Sequence, residues 1–267
     1  MPELPQHLPI NKQRTPCAEK NDKLGWTHGC SLHFQGFTIG IRTNREGTLE
    51  RLKGLLPPAL KIVETREVDV LLSFLCAKDS QRRGVQHYNL VYDGWNRIAR
   101  TRDVDEALKV FSAASRAQLA TFAQDSIFVV GEVVGLKGRA VILLDEKGDK
   151  SLSLADALCL QGADRYSNGL VQIDLAGCVR GFEMREDETL EPALILQPGK
   201  EGRTWRPVVL TQAEAVMAMF GRAPGAAFHP KRTLEALSKL ARQSTALGGR
   251  RGTTSGVVPF VLKHLQL

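Results

Sequence analysis

The chain has 267 residues, 43% of them apolar and 24% charged, with a formal net charge of +7. These are globular values, enough for one large domain or two small ones, and they exclude wholesale disorder. No apolar run approaches the roughly 18 residues of a membrane span, and Met1 to Asp22 is too polar for a signal peptide, so a cytoplasmic protein is expected.

Residues 1–24 read as a flexible tail, rich in Pro, Gln, Lys and Asn. An α+β region is expected over residues 25–125. Phe37 to Ile41 alternates like a strand, Gly47 to Leu56 reads as a short helix stopped by Pro57-Pro58, and Val68 to Leu75 suits a buried strand. Tyr88 to Tyr92, then Asp93-Gly94, then Asn96 to Thr101 has the pattern of a hairpin, because Asp-Gly accepts the positive φ angles of a tight turn. The clearest helix runs from Asp103, a ready N-cap with Glu106 three residues on, to Phe122.

In residues 126–267, Ile127 to Val134 and Ala140 to Leu144 read as strands around the turn Gly135 to Gly138. A polar loop, Asp145 to Lys150, leads into a helix through Leu154 and Leu158 that ends near Gly162. Strands are expected at Leu170 to Ile173 and Cys178 to Met184. Thr211 and Glu214 open a helix over Gln212 to Phe220. A last helix is predicted from Pro230 to Ala246, with Gly248 to Gly252 as a solvated bend. Strands with intervening helices define an α/β class, with an α+β lead-in and a helical C-terminal part.

The five cysteines are odd in number and widely spaced, which predicts reduced, mostly buried thiols rather than a disulfide framework. His28, Cys30 and His33 lack the second cysteine of a zinc site, and no metal is expected. From Lys200 onward eleven Lys/Arg stand against three acids. An anionic ligand is one reading of that basic third, but aromatic residues are few in it, and nucleic acid is not an expected partner.

The strand, polar loop and helix around Leu144 form the arrangement that places a phosphate at a helix N-terminus. The loop reads Asp145-Glu146-Lys147-Gly148-Asp149-Lys150-Ser151, and the G-x-x-x-x-G-K-[ST] pattern occurs nowhere in the chain. Phe128-Val129 through Val133-Val134, Gly138-Arg139-Ala140, Gly162-Ala163, Tyr166-Ser167 and Trp205-Arg206-Pro207 resemble, in order and spacing, the HPr kinase-related proteins. These are P-loop proteins akin to HPr kinase/phosphorylase, and the similarity runs from about Phe34 to the C-terminus. It implies a P-loop-type core over residues 126–267.

The resemblance also implies three chemical features, each altered here. Active relatives carry a His in an F-x-H-A-G context, where this chain has Val130 in Phe128-Val129-Val130-Gly131-Glu132. Their G-K-S-T falls, without gaps, on Lys150, Ser151, Leu152 and Ser153, and the loop's first Gly on Asp145. A slip of one residue makes Lys150-Ser151 the Lys-Ser pair, with Asp149 where Gly belongs. Their Y-S-D-E becomes Tyr166-Ser167-Asn168-Gly169. A carboxylate in a phosphate cradle costs several kcal/mol at an effective dielectric near 20. Asn168 cannot take a proton as a carboxylate does, a loss of about 10²–10⁴-fold.

No catalytic residue is therefore assigned, and Gly148, Lys150, Ser151 and Ser153 form the nucleotide-binding remnant. No cofactor is expected, with Mg-ATP bound only where that remnant still works. The implied function is a binding or regulatory pseudokinase, self-associating as HPr kinases do. Its partner is a protein or peptide, such as an active paralogue or a PqqD-like chaperone of a peptide-modification system. The alternative is an ATP-dependent protein or peptide serine kinase with an atypical P-loop.

Overall fold

The computed structural model describes residues 5–13, 15–77, 86–144, 153–181, 188–201, 205–251 and 254–266. The chain is mixed α/β and divides into two compact units, Met1–Gln124 and Asp125–Leu267.

The first unit runs β1 (Ile10–Asn11), α1 (Pro16–Asp22), β2 (His28–Phe34), β3 (Phe37–Thr43), α2 (Glu46–Lys53), β4 (Lys61–Val63), β5 (Glu67–Val68), β6 (Val70–Leu75), β7 (Asn89–Asp93), β8 (Asn96–Thr101) and α3 (Val104–Phe122). Six strands form one sheet in the order β4-β2-β3-β6-β7-β8, and β1 pairs with β5. Only β3 and β6 run parallel within the six. Asp103 caps α3 as expected, its Oδ1 accepting from the Asp105 amide at 2.8 Å. Phe111 of α3 is fully buried and meets Phe74 edge to face at 6.3 Å.

The segment expected as a flexible tail is instead packed. Leu8 and Ile10 are buried, and Thr15 Oγ1 caps α1 by accepting from the Ala18 amide at 3.2 Å. Pro9 lies where Gly29 and Gly40 leave room: a Cβ on Gly29 would come within 2.8 Å of Pro9, and one on Gly40 within 2.7 Å. Arg42, 1% exposed, donates from Nη1 to Asp22 Oδ1 at 2.5 Å and from Nε to Ser73 Oγ at 2.8 Å, with Trp26 against its guanidinium. A few apolar residues spread through a polar segment show no periodicity, so composition hid this contact.

The second unit runs β9 (Ser126–Leu136), β10 (Arg139–Leu143), α4 (Leu154–Cys159), β11 (Asp164–Asp174), β12 (Val179–Gly181), β13 (Glu191–Glu201), β14 (Arg206–Val209), α5 (Gln212–Phe220), a 3₁₀ turn (Pro224–Ala227), α6 (Pro230–Gln243), β15 (Thr245–Arg251) and α7 (Thr254–Gln266). One sheet holds its seven strands in the order β12-β11-β9-β10-β13-β15-β14, with β10, β13 and β15 mutually parallel. Central residues alternate between two helical layers. Ala140, Ile142 and Leu144 pack with α5 and α6, whereas Val141 and Leu143 pack with α4 and α7. Lys137 (φ 54°) and Gly138 (φ 77°) turn β9 back into β10, a tighter hairpin than Gly135 to Gly138.

Three strands of this unit, β13, β14 and β15, escape the sequence reading. The α6 helix ends at Gln243, and the stretch read first as helix and then as solvated bend is the strand β15, between β13 and β14. Its glycines are demanded by packing: a Cβ on Gly248 would sit 2.9 Å from Leu210, and Gly249 takes φ +134° with no room for a side chain against the Arg206 carbonyl. The helical C-terminal part thus also contains two strands of the sheet.

Candidate functional site

In a sheet with helices on both faces, ligands bind beyond the carboxyl ends of parallel strands. Here that edge begins at the end of β10, where the Leu144 amide donates to Leu196 O at 2.8 Å before the chain leaves the sheet. The register then decides what stands beside it. Leu143 pairs with Glu132 of β9, and Glu132 pairs with Asn168 of β11. One step along, Gly131 faces Gly169, and Val130 faces Leu170. Two of the altered positions, Val130 and Asn168, are therefore near neighbours across the β9–β11 pair beside the end of β10; the residues from Asp145 to Leu152 lie outside the described ones.

Backbone crowding explains the glycines in this row. A Cβ on Gly131 would lie 2.8 Å from Leu143 O, so β9 can press against the end of β10 only without a side chain. Gly169 holds φ +107° and opens onto free space. Tyr166 is the extra residue of a β-bulge between Arg165 and Ser167. Its ring occupies the space a side chain on Gly135 would need, and burial pushes its hydroxyl pKa up, helped by Asp164 and Glu188.

Of the proposed remnant, Gly148, Lys150 and Ser151 lie outside the described residues, as do Asp145 and Asp149. Ser153 is the N-cap of α4. Its Oγ donates to Asp156 Oδ2 at 2.6 Å, accepts from the Asp156 amide at 3.0 Å and lies 3.5 Å from Arg165 Nη2. A hydroxyl offers one donor and two acceptor sites, so these three partners fill it. Arg165 Nη2 also donates to Asp156 Oδ1 at 2.6 Å and stands 3.9 Å from Glu132 Oε2. The bonds from Ser153 and then Arg165 hold the Asp156 carboxyl below its usual range. Burial alone would lower the pKa of Arg165, but Asp156 and Glu132 outweigh it and the net shift is upward.

The resulting cluster, Glu132, Ser153, Asp156 and Arg165, is closed on itself: each charge meets its opposite and the serine hydroxyl has no donor to spare. Glu132 belongs to it from the interior of β9. Arg165 and Asp156 were not singled out, although Ser153-x-x-Asp156 has the spacing of a capping box. The other candidates disperse. Alternation along β2 puts His33 on the opposite face from His28 and Cys30, and no group of three metal-ligating residues occurs among the described residues. All five cysteines are free, but only Cys76 is fully buried, its Sγ 3.0 Å from Thr48 Oγ1. No described helix is long and apolar enough to cross a membrane.

No protein-family model matches the chain, and neither a curated protein nor a solved structure matches it.

Proposed function

We propose that this chain is a catalytically degenerate HPr-kinase-like protein that works by binding: a pseudokinase whose P-loop-type core serves a protein or peptide partner. One observation carries the reading. Strand register brings Val130 and Asn168 close together beside the end of β10, and both depart from what the resemblance requires of an active kinase, as does the sequence that follows Leu144. Random divergence of an unrelated sheet has no reason to set those two positions beside each other.

Chemistry supports loss of catalysis rather than a new version of it. Phosphoryl transfer depends on positioning and on neutralising charge. The valine at position 130 has no proton to give or take, and Asn168 is no base. Ser153, the hydroxyl nearest a metal-binding role, is saturated by Asp156 and Arg165. No cofactor is part of this function. Five free cysteines suit a reducing cytoplasm. Self-association, and a partner such as an active paralogue or a PqqD-like chaperone, belong to the same proposal.

Calorimetric titration with Mg-ATP tests it. No heat of binding at micromolar protein is expected. Micromolar binding abolished by Lys150→Ala would instead establish the alternative, an ATP-dependent protein or peptide serine kinase with an atypical loop. Sedimentation velocity tests the self-association, which a single monomeric boundary at all concentrations would refute.

A further inference from the structure

The first unit carries a separate feature that the pseudokinase reading does not use. Strand β8 is the last of its sheet, so one row of its backbone groups faces no neighbour among the described strands. Its sequence, Asn96-Arg97-Ile98-Ala99-Arg100-Thr101, followed by Arg102, spaces three arginines three and then two residues apart. In a regular strand that spacing would put Arg97 on the opposite face from the other two. The register shows otherwise. Val91 pairs with Ala99 and Tyr92 with Arg97, which leaves Ile98 as the extra residue of a bulge. Arg97 therefore shares a face with Arg100, which pairs with Leu90, two residues from Tyr92.

Arg102 joins them through Tyr88. The Arg100 guanidinium lies 4.1 Å from the Tyr88 ring centroid and that of Arg102 5.8 Å. All three arginines are exposed, and none has an acidic partner among the described residues. The acids of this end of the unit are engaged on the other face: Asp93 accepts from Gln118 of α3 at 2.5 Å, and Glu106 of α3 accepts from Thr101 at 2.5 Å. Ile98 is 40% exposed in the same strand.

We propose that β8 binds an extended acidic peptide segment of a protein partner by strand addition. Main-chain bonds to the open edge would supply affinity, and the arginine stripe would select carboxylate-bearing side chains at alternate positions. Charge complementarity and the free edge favour this occupant over single-stranded nucleic acid, since Arg100 covers the Tyr88 ring that a base would need for stacking.

The test uses the full chain and a fluorescein-labelled octapeptide of alternating Glu and Val, followed by anisotropy. Saturable binding that weakens with salt is expected, with Lys-for-Glu peptide inert. Arg97→Glu, Arg100→Glu and Arg102→Glu together should weaken binding roughly 10-fold or more. Strand addition also predicts slowed hydrogen exchange at amides of Asn96–Thr101 in the unmodified protein, a readout independent of whether the variant folds. Absence of binding, binding untouched by the triple variant, or exchange unchanged along β8 would each overturn the proposal. So would an equally charged single-stranded DNA that displaces the peptide at lower concentration. If the arginines serve only to guard the edge against aggregation, the variant self-associates and neither protein binds the peptide, which also overturns it.

Discussion

The edge of the second unit's sheet beyond β10 and the β8 edge of the first unit hold similar ingredients in opposite states. Beside β10, Arg165 is spent: it bonds Asp156, stands near Glu132, and keeps the Ser153 hydroxyl occupied. Along β8, Arg100 and Arg102 lie against the Tyr88 ring, and neither they nor Arg97 meet an acid among the described residues. An arginine closed into an internal network stabilises a fold, whereas one aimed at solvent from an open strand is available to a ligand. Beside β10 the polar groups bond one another. The exposed chemistry lies elsewhere.

The contrast can be broken by mutation, starting with the largest effect. Asp22→Ala should cost about 3–5 kcal/mol in urea unfolding, because it strands the buried Arg42 without a carboxylate. Arg42→Met, which removes the charge and keeps the volume, should cost far less. Equal losses in the two variants would show that packing rather than the ion pair ties α1 to the sheet.

Gly249→Ala should destabilise the second unit by about 2–3 kcal/mol, since φ +134° and the Arg206 carbonyl both exclude a Cβ. Unchanged stability would mean that β14 can retreat from β15. Ser153→Ala removes the cap of α4 and should cost about 1 kcal/mol.

The smallest effect is a pH dependence. The folded-state pKa of Asp156 lies below its ordinary value, chiefly through Ser153. Its contribution is fully present above about pH 4 and disappears as pH falls through the folded pKa. The gap between the urea midpoints of the unmodified protein and Ser153→Ala should therefore be widest at pH 6 and narrow as the pH falls below about 4, leaving only the part due to the neutral cap bond. A constant gap across that range would show that Asp156 is not the titrating partner.

Legibility in the sequence followed how local each signal was. The hairpin β7–β8 was readable because Asp93-Gly94 sits between two alternating runs, and α3 because its cap and apolar stripe lie within one segment. Thr211 and Glu214 likewise bond each other across three residues, as their spacing predicted. In contrast, strands β13 and β15 are buried by neighbours far away in the chain. Gly248-Gly249 resembles a loop until β13 and β14 close around it. The altered site positions were recognisable singly, but only strand pairing made them adjacent.

Taken alone, the order of residues determined the α/β class, the absence of a G-x-x-x-x-G-K-[ST] pattern and the positions of its best-capped helices, because these depend on contacts within a few residues. Tertiary structure decided the rest: the packing of residues 5–22, the identity of β15, the closed cluster around Arg165 and the shared face of Arg97, Arg100 and Arg102. Each of these depends on register or on burial against distant segments, and a one-residue bulge such as that at Ile98 reverses which face a side chain takes.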